Sequence, residues 1–214
     1  MPARKIMSSP ANVEAILPRL KRETQPSHAS LERRVDIVNR VRTPSDYRTL
    51  LETFYGLYQP LESEIARSVH QIAPWLPDLG NRWRTPSLKV DLRVLGNLCP
   101  ESLPLASVPA PGSLSATFGC LYVLEGSTLG GQIISRQIGS HLDFMPENGC
   151  SFFACHGAET GNMWRKFSDA IEAYAATYPE DGVIMIRAAQ DTFGAFVNWF
   201  HEKSQAEKSQ AEKS

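Results

Sequence analysis

Apolar side chains recur along this chain at steps of three and four residues, the spacing that places them on one face of an α-helix. The clearest run lies between residues 43 and 70, where Thr43 stands directly before Pro44. Threonine is a favoured N-cap and proline a favoured first helical residue, so this pair predicts where the helix begins. Pro60 lacks an amide proton, and we expect it to kink the same helix. The apolar face comprises Tyr47, Leu50, Leu51, Phe54, Leu57, Tyr58, Leu61, Ile65 and Val69.

Four further helices are predicted after this one. Thr85–Pro86 repeats the start signal, and Ser113 opens a long helical pattern that continues to about residue 138. Two more patterns cover about 159–177 and 181–202, while the proline-rich stretch 100–112 predicts an exposed loop. Alternating segments flanked by hairpin dipeptides are missing from the sequence, so we predict an all-α fold.

Length and composition predict one globular domain. The chain has 214 residues, of which 42% are hydrophobic and 21% charged, enough apolar material for one sizeable core. We assign residues 1–202 to a single domain. Residues 203–214 consist of two copies of a five-residue repeat and a remnant, and we expect a solvated or frayed tail there.

Charge and cysteine content restrict the class of protein. The net charge is −1, so no overall basic field attracts nucleic acid or an anionic membrane. The sequence has no uninterrupted apolar run of about 18 residues and no segment typical of a signal peptide. Its four cysteines form no CxxC pair. These features predict a cytoplasmic protein with reduced thiols that binds neither nucleic acid nor membrane.

A first chemical motif lies near the beginning of the chain. Lys21, His28 and Glu32 are seven and four residues apart, so on a helix they line one stripe. A neutral imidazole can bind a metal such as iron through one nitrogen while a carboxylate holds its other N–H. Pro26 is expected to break or restart the helix just before His28. An ordinary surface histidine would give the same local pattern, so this segment alone leaves both interpretations open.

A second motif lies inside the long helix that Ser113 opens. Gly126, Gly130 and Gly131 fall in an otherwise helical pattern, and each internal glycine costs about 1 kcal/mol relative to alanine. Gly126 and Gly130 are one turn apart, so a flat ligand could lie against bare backbone there, and the Gly130–Gly131 pair could supply a bend. Close packing between helices would also require small residues, and the spacing does not separate the two.

Together, these segments resemble the heme oxygenase family. The pattern LKxxTxxxHxxLE begins at Leu20, GSTLGGQ begins at Gly126, and AAQDTFGAFVNWF, which ends at Phe200, is similar to the family's last core helix. The resemblance covers about residues 20–200 and is strongest to the bacterial branch associated with phytochromes. It implies a single-domain fold in which heme lies between a proximal helix and a kinked distal helix.

The resemblance also implies a role for individual residues. His28 corresponds to the proximal iron ligand, Glu32 to the partner of its ring, and Gly126 and Gly130 to the glycines over the heme face. The residues assigned to the heme are Lys21, His28, Glu32, Gly126, Gly130, Gly131 and Phe193, and those assigned to catalysis are Gly126, Ser127, Gly130 and Arg136.

The activity that this resemblance implies is oxidative opening of heme. Heme b would serve as substrate and cofactor, and O₂ with electrons from a ferredoxin or reductase would convert it to biliverdin, CO and ferrous iron. A bacterial phytochrome would be the expected receiver of the biliverdin.

Ser127 departs from the pattern of many family members, which carry an aspartate there to organise a catalytic water. A hydroxyl donates and accepts hydrogen bonds but holds no negative charge. We expect Arg136 and ordered water to take over part of this network. The alternatives are a non-catalytic heme carrier or sensor of the same fold and a helical interaction protein that binds no tetrapyrrole.

Overall fold

The computed structural model describes residues 14–211, with the backbone alone at positions 38, 39, 210 and 211. Residues 1–13 and 212–214, which the predicted domain and tail include, lie outside the described residues. Within 14–211 the chain forms helices and no strand, which confirms the all-α prediction. The helices are α1 (Ile16–Val35), α2 (Ile37–Arg40), α3 (Pro44–Ala66), α4 (Val69–Ile72), α5 (Thr85–Val94), α6 (Leu114–Leu142), α7 (Ser151–Ala154), α8 (Thr160–Thr177) and α9 (Gly182–Ala211).

The start of α3 is where the sequence predicts it. The Thr43 side chain accepts from the Asp46 amide at 3.1 Å, and the Asp46 carboxylate accepts from the Thr43 amide at 2.8 Å. This reciprocal capping box satisfies two amides that the first turn leaves without helical partners. The helix ends at Ala66, before Val69, which is partly exposed and begins α4.

Helix α3 also continues through Pro60. Because proline has no amide proton, the carbonyl of Gly56 one turn earlier lacks its usual helical partner. The amide of Ala106 donates to that carbonyl at 2.8 Å. Ala106 belongs to the proline-rich segment that was predicted to be exposed, yet it is buried. Part of this loop is therefore packed on α3, where it completes the helix.

Helix α1 is uninterrupted from Ile16 to Val35 and contains Pro26. The predicted break or restart at Pro26 is therefore wrong. Asp36, in the left-handed region with φ of 36°, ends this helix. Since the helix is continuous, Lys21 and His28 do share one stripe.

Helix α6 runs as one 29-residue element through its glycines, so the predicted bend at Gly130–Gly131 does not interrupt it. Ser113 caps it by accepting from the Ala116 amide at 3.2 Å, as the sequence predicts. No helix in residues 14–211 has the length and apolarity that crossing a membrane requires.

Helix α9 lies at the centre of the fold and packs against α1, α3 and α6. Two glycines permit the closest approaches: a Cβ on Gly119 of α6 would collide with the Met185 carbonyl, and one on Gly56 of α3 would lie 2.7 Å from the Trp199 ring. The small residues at these positions therefore serve helix packing.

The end of α9 differs from the sequence prediction. The helix was expected to end near residue 202, but it continues to Ala211. The Lys203 ammonium lies 4.4 Å from the centre of the Trp199 ring, a cation–π contact. The repeat therefore begins as an extension of α9 rather than as a frayed end, although side chains 205–209 are exposed, as expected for a solvated segment.

Candidate functional site

His28 lies on α1 with an accessible imidazole. Its side chain is 55% exposed, and its Nδ1 lies 3.5 Å from a carboxylate oxygen of Glu32. The edge of the ring meets the buried Phe193 of α9, with 5.7 Å between ring centres. Lys21 is exposed two turns earlier on the same stripe. An imidazole held near a carboxylate and open to solvent is suited to bind a ligand that arrives from outside.

Gly126 and Gly130 of α6 leave a bare stretch of helix surface. A Cβ on Gly130 would meet nothing within 4 Å, and one on Gly126 would meet only the Trp164 ring, at 3.8 Å. Neither glycine is needed for packing within the described residues. Leu129 and Ile133, three residues after each glycine and so on the same side of the helix, are 46% and 61% exposed. This open face is apolar and free of side chains at its centre, as a flat apolar ligand requires.

Gly131 behaves differently. A Cβ there would lie 2.6 Å from the Phe153 carbonyl oxygen and 3.0 Å from the Cys155 sulfur. Gly131 therefore lies on the packed side of α6, against α7, which corrects the prediction that it belongs to the ligand face. Close helix packing therefore accounts for Gly131, whereas the interpretation that a flat ligand lies against Gly126 and Gly130 stays a prediction.

Helix α9 contacts both α1 and α6 and so holds the two helices in place relative to each other. Gln190 donates to the Glu23 carbonyl at 3.1 Å, and Phe193 contacts His28 further along. On its other side, Thr192 lies 3.3 Å from the sulfur of Cys120, six residues before Gly126. His28 and the open face of α6 are thus positioned by the same turns of one buried helix.

Ser127 is paired with a tyrosine that the sequence did not single out as a site residue. Its hydroxyl lies 2.8 Å from the phenol of Tyr58 and donates to the Leu124 carbonyl at 2.6 Å. Tyr58 is buried in α3, and burial raises the pKa of its phenol, so the phenol stays neutral. The sequence placed Tyr58 on the apolar face of α3, and no local pattern links it to a residue 69 positions later.

Arg136 does not join this network. It is exposed and lies nine residues after Ser127, which is about 13 Å along a helix. Tyr58, and not Arg136, is therefore the side chain in contact with Ser127, and a link from Arg136 through ordered water stays a prediction.

A cavity of about 80 Å³ lies beside Ser127 and Tyr58. Arg84 reaches it from the start of α5, where it is 6% exposed and donates to the carbonyls of Ser151 and Phe152. Its Nε has no hydrogen-bond partner among the described residues. The cavity is lined by Phe54, Tyr58, Arg84, Ser127, Thr128, Gly131, Ile134, Phe152, Phe153 and Cys155.

A buried ion pair fixes α6 immediately before Gly126. Arg82 donates to the Glu125 carboxylate at 2.5 Å and to the Met163 carbonyl of α8 at 3.1 Å. It also makes two bonds with the carboxylate of Asp78, at 2.8 and 3.1 Å. Burial raises the pKa of Glu125, and the charge of Arg82 opposes this increase. Through these bonds Arg82 connects its own segment, which includes Asp78, with α6 and α8. The contact with α6 lies directly before Gly126 and the open face.

Arg82→Ala should therefore destabilise the protein by about 3 kcal/mol, because it leaves the buried carboxylate of Glu125 without a cation. The pKa of Glu125 then rises further, while in the unfolded chain it stays near 4.5. In the wild type the pKa of Glu125 is already about 7, so below that pH both folded proteins keep the proton and the destabilisation changes little. Above about pH 7 the folded variant binds more protons than the folded wild type, so the destabilisation should increase as the pH rises. Urea unfolding of wild type and variant at several pH values measures the loss in the free energy of unfolding. Arg165→Ala, which removes an exposed pair with Asp169, should change stability by less than about 0.5 kcal/mol.

Comparison with known proteins relates part of this chain to heme oxygenases. The family model for heme oxygenase matches residues 105–202, which include α6, α8 and most of α9. A heme oxygenase of Xanthomonas campestris pv. campestris is 42% identical over 73 residues, which are 32% of this chain. That alignment spans 42% of the length of the Xanthomonas protein.

The solved structures extend the heme oxygenase likeness to the whole fold. The Neisseria meningitidis heme oxygenase, solved with NO and CO, has a TM-score of 0.75 at 23% identity over 89% of this chain and 92% of its own. Heme oxygenase 2 of Chlamydomonas reinhardtii, solved without heme, has a TM-score of 0.76 at 16% identity, covering 88% and 97%. Heme oxygenase-1 of Synechocystis, solved with heme, has a TM-score of 0.67 at 18% identity, covering 93% and 98%. The chain therefore has the heme oxygenase fold.

Proposed function

We propose that this chain is a heme oxygenase, which uses O₂ and electrons to convert heme to biliverdin, CO and ferrous iron. One observation carries the proposal: the exposed imidazole of His28 on α1 and the bare open face at Gly126 and Gly130 on α6 are both positioned by α9. The family match of residues 105–202 supports it.

The residues present fit a heme. Its flat, mostly apolar ring suits a helix surface without side chains at Gly126 and Gly130, flanked by the exposed Leu129 and Ile133. An imidazole is a common ligand of heme iron, and a strongly donating thiolate, which favours cleavage of the O–O bond, is not needed for ring opening. In this arrangement the His28 imidazole would hold the iron, and Glu32 would accept from the other ring nitrogen, directly or through water.

Lys21 and Phe193 are assigned to the heme from the same arrangement. Lys21, with an ammonium on the stripe of His28, is suited to meet a heme propionate. Phe193 supports the imidazole from α9 by its edge contact. When bound, heme supplies the iron that activates O₂ and the carbon that is oxidised. The protein's own part is to hold the ring, exclude bulk water and organise hydrogen bonds on the α6 side.

The reaction needs an electron donor, which we propose to be a ferredoxin or a flavin-dependent reductase. The likeness of the two motifs to the branch associated with phytochromes supports a bacterial phytochrome as the receiver of biliverdin. We place the reaction in the cytoplasm.

Aerobic turnover of the hemin complex tests the function. With ascorbate or a ferredoxin and its reductase, we expect the absorption of heme to disappear, CO to form and biliverdin to be recovered by chromatography. Release of iron to a ferrous chelator provides an independent readout. A protein that binds hemin and only oxidises in air, without biliverdin, would be the heme carrier of the alternative interpretation.

A further inference from the structure

The C-terminal repeat forms part of one wall of a polar groove that the proposed function does not involve. This wall consists of His201, Ser204, Gln205 and Lys208, which follow one another at steps of three, one and three residues. At this spacing they share one side of α9, and all four side chains can donate hydrogen bonds. A helix that only packs against its neighbours carries apolar residues on such a stripe, as α9 does in the core. The end of α9 is therefore suited to a polar ligand.

Helix α1 supplies the opposite wall of this groove. Ser30, Arg33 and Arg34 line it, and its volume of about 500 Å³ is within the range of small-molecule sites. Successive helical residues point about 100° apart, so Ser30 and Arg34 point about 200° and 240° away from His28. The groove thus lies on the other side of α1 from the His28 stripe and is distinct from the candidate heme site.

Two contacts hold the arginines of the groove in place. The Arg34 guanidinium donates to Nδ1 of His201 at 2.9 Å, and Arg40 of α2 donates to the Arg34 carbonyl at 2.9 Å. A guanidinium can only donate, so His201 accepts at Nδ1 and carries its proton on Nε2. The Nε2–H of His201 is then a further donor. Because these side chains are positioned before a ligand arrives, the entropic cost of binding is reduced.

The groove also has an excess of positive charge. Its lining includes the cations Arg33, Arg34, Arg40 and Lys208 and the carboxylate of Asp36, which leaves a net charge of +3. None of the four cations forms an ion pair with an acidic side chain in the part of the chain that the structure describes. Several exposed arginines elsewhere do pair with a carboxylate one turn away. Since like charges repel one another, an anion in this groove would be bound favourably.

We propose that this groove binds a small molecule that carries two linked phosphate groups, as pyrophosphate and nucleoside diphosphates do. A single phosphate carries a charge of about −1.5 to −2 near pH 7, so one phosphate leaves part of the +3 unmatched and two linked phosphates balance it. Arginine binds phosphate oxygens through two parallel hydrogen bonds, and the hydroxyl, amide and imidazole donors complete the site. This second site goes beyond the proposed function and does not depend on the turnover of heme.

Calorimetric titration of the full chain without hemin tests the ligand chemistry, with pyrophosphate, ADP, adenosine and sulfate compared at constant ionic strength. Pyrophosphate should bind with a Kd below about 100 μM, sulfate at least about tenfold more weakly, and adenosine not at all. Weaker binding of pyrophosphate, or less discrimination against sulfate, would show only general attraction of anions and would overturn the proposal. ADP identifies the source of the diphosphate: tighter binding than pyrophosphate indicates a nucleotide, and otherwise the free diphosphate is the ligand.

Arg33→Gln and Lys208→Gln test the two walls of the groove. Both side chains are exposed, so the fold should be unaffected, and each change should raise the Kd for pyrophosphate about tenfold. The double variant should bind about a hundredfold more weakly, since the two side chains lie on different helices. Arg187→Gln, which removes one positive charge from the exposed surface of α9, is the matched control and should bind as wild type. Wild-type affinity in the double variant, or an equal loss in the control, would exclude this groove as the site.

Stability and hemin measurements separate this site from the heme site. At about a hundred times its Kd, pyrophosphate should lower the unfolding equilibrium constant of the heme-free protein about a hundredfold, and that of the double variant only about twofold. Its affinity should be the same in the hemin-loaded protein, because the groove lies on the other side of α1 from His28. Displacement of pyrophosphate by hemin would contradict a separate site. If pyrophosphate binds as expected but the wild type forms no biliverdin, the proposed function fails and the diphosphate site stands.

Discussion

His28→Ala should reduce biliverdin formation by more than about a hundredfold while leaving hemin bound. Burial of the large apolar ring contributes most of the affinity for hemin, whereas the imidazole supplies the bond to iron. Loss of a side chain that merely supports a metal ligand already costs about 10- to 100-fold, so loss of the ligand itself should cost at least as much. Absorption spectra of the hemin complex and turnover rates measure the two effects separately.

Added imidazole should restore the ligation spectrum and part of the turnover of His28→Ala, which a purely structural role would not allow. His70→Ala, a change at an exposed histidine of α4, is the control and should behave as wild type. A wild-type ligation spectrum in His28→Ala would show that another side chain binds the iron.

Gly130→Val should weaken hemin binding by about ten- to a hundredfold and leave the heme-free protein as stable as before. A branched side chain would occupy the space in which the ring lies, and forced overlap of this kind costs about 1–3 kcal/mol. In the heme-free protein a Cβ at Gly130 meets nothing within 4 Å, and valine is a slightly better helix former than glycine. Hemin titration measures the affinity for hemin, and urea unfolding of the same preparation measures the stability of the heme-free protein.

Substitutions at two other glycines are the controls for Gly130→Val. Gly119→Ala should destabilise the fold, because its Cβ would collide with the Met185 carbonyl of α9. Gly161→Ala, near the start of α8 with nothing within 4 Å, should alter neither property by much. Normal hemin affinity in a folded Gly130→Val protein would exclude the open face of α6 as the heme surface.

Much of the local structure follows from the sequence alone. The capping box at Thr43, the N-cap at Ser113 and the spacing of four residues between His28 and Glu32 depend on groups within one turn of helix. Such contacts are set by helix geometry, whatever packs around them. The same geometry put Gly126 and Gly130 on one face, so the candidate site was predictable to the level of two helices and their principal residues.

Only the tertiary structure decided which polar side chains form hydrogen bonds with those helices. The sequence indicated Thr85 as the start of α5, but the amides of Arg84 and Thr85 donate to the carboxylate of Glu62, more than twenty residues away in α3. In the same way, the partner of Ser127 is Tyr58 rather than Arg136. These contacts join residues far apart in the chain, and no helical period encodes them.

The tertiary structure also decided which glycines of α6 are packed and which are exposed. Gly130 and Gly131 are adjacent, yet one faces open space and the other faces α7. The helical pattern determined that neighbouring residues point about 100° apart, but which direction is packed depends on where α7 lies. The sequence by itself therefore determined the helices, the stripe of His28 and the presence of a small-residue patch. Packing alone decided which side of that patch is open to a ligand, because contacts between helices depend on their arrangement in space.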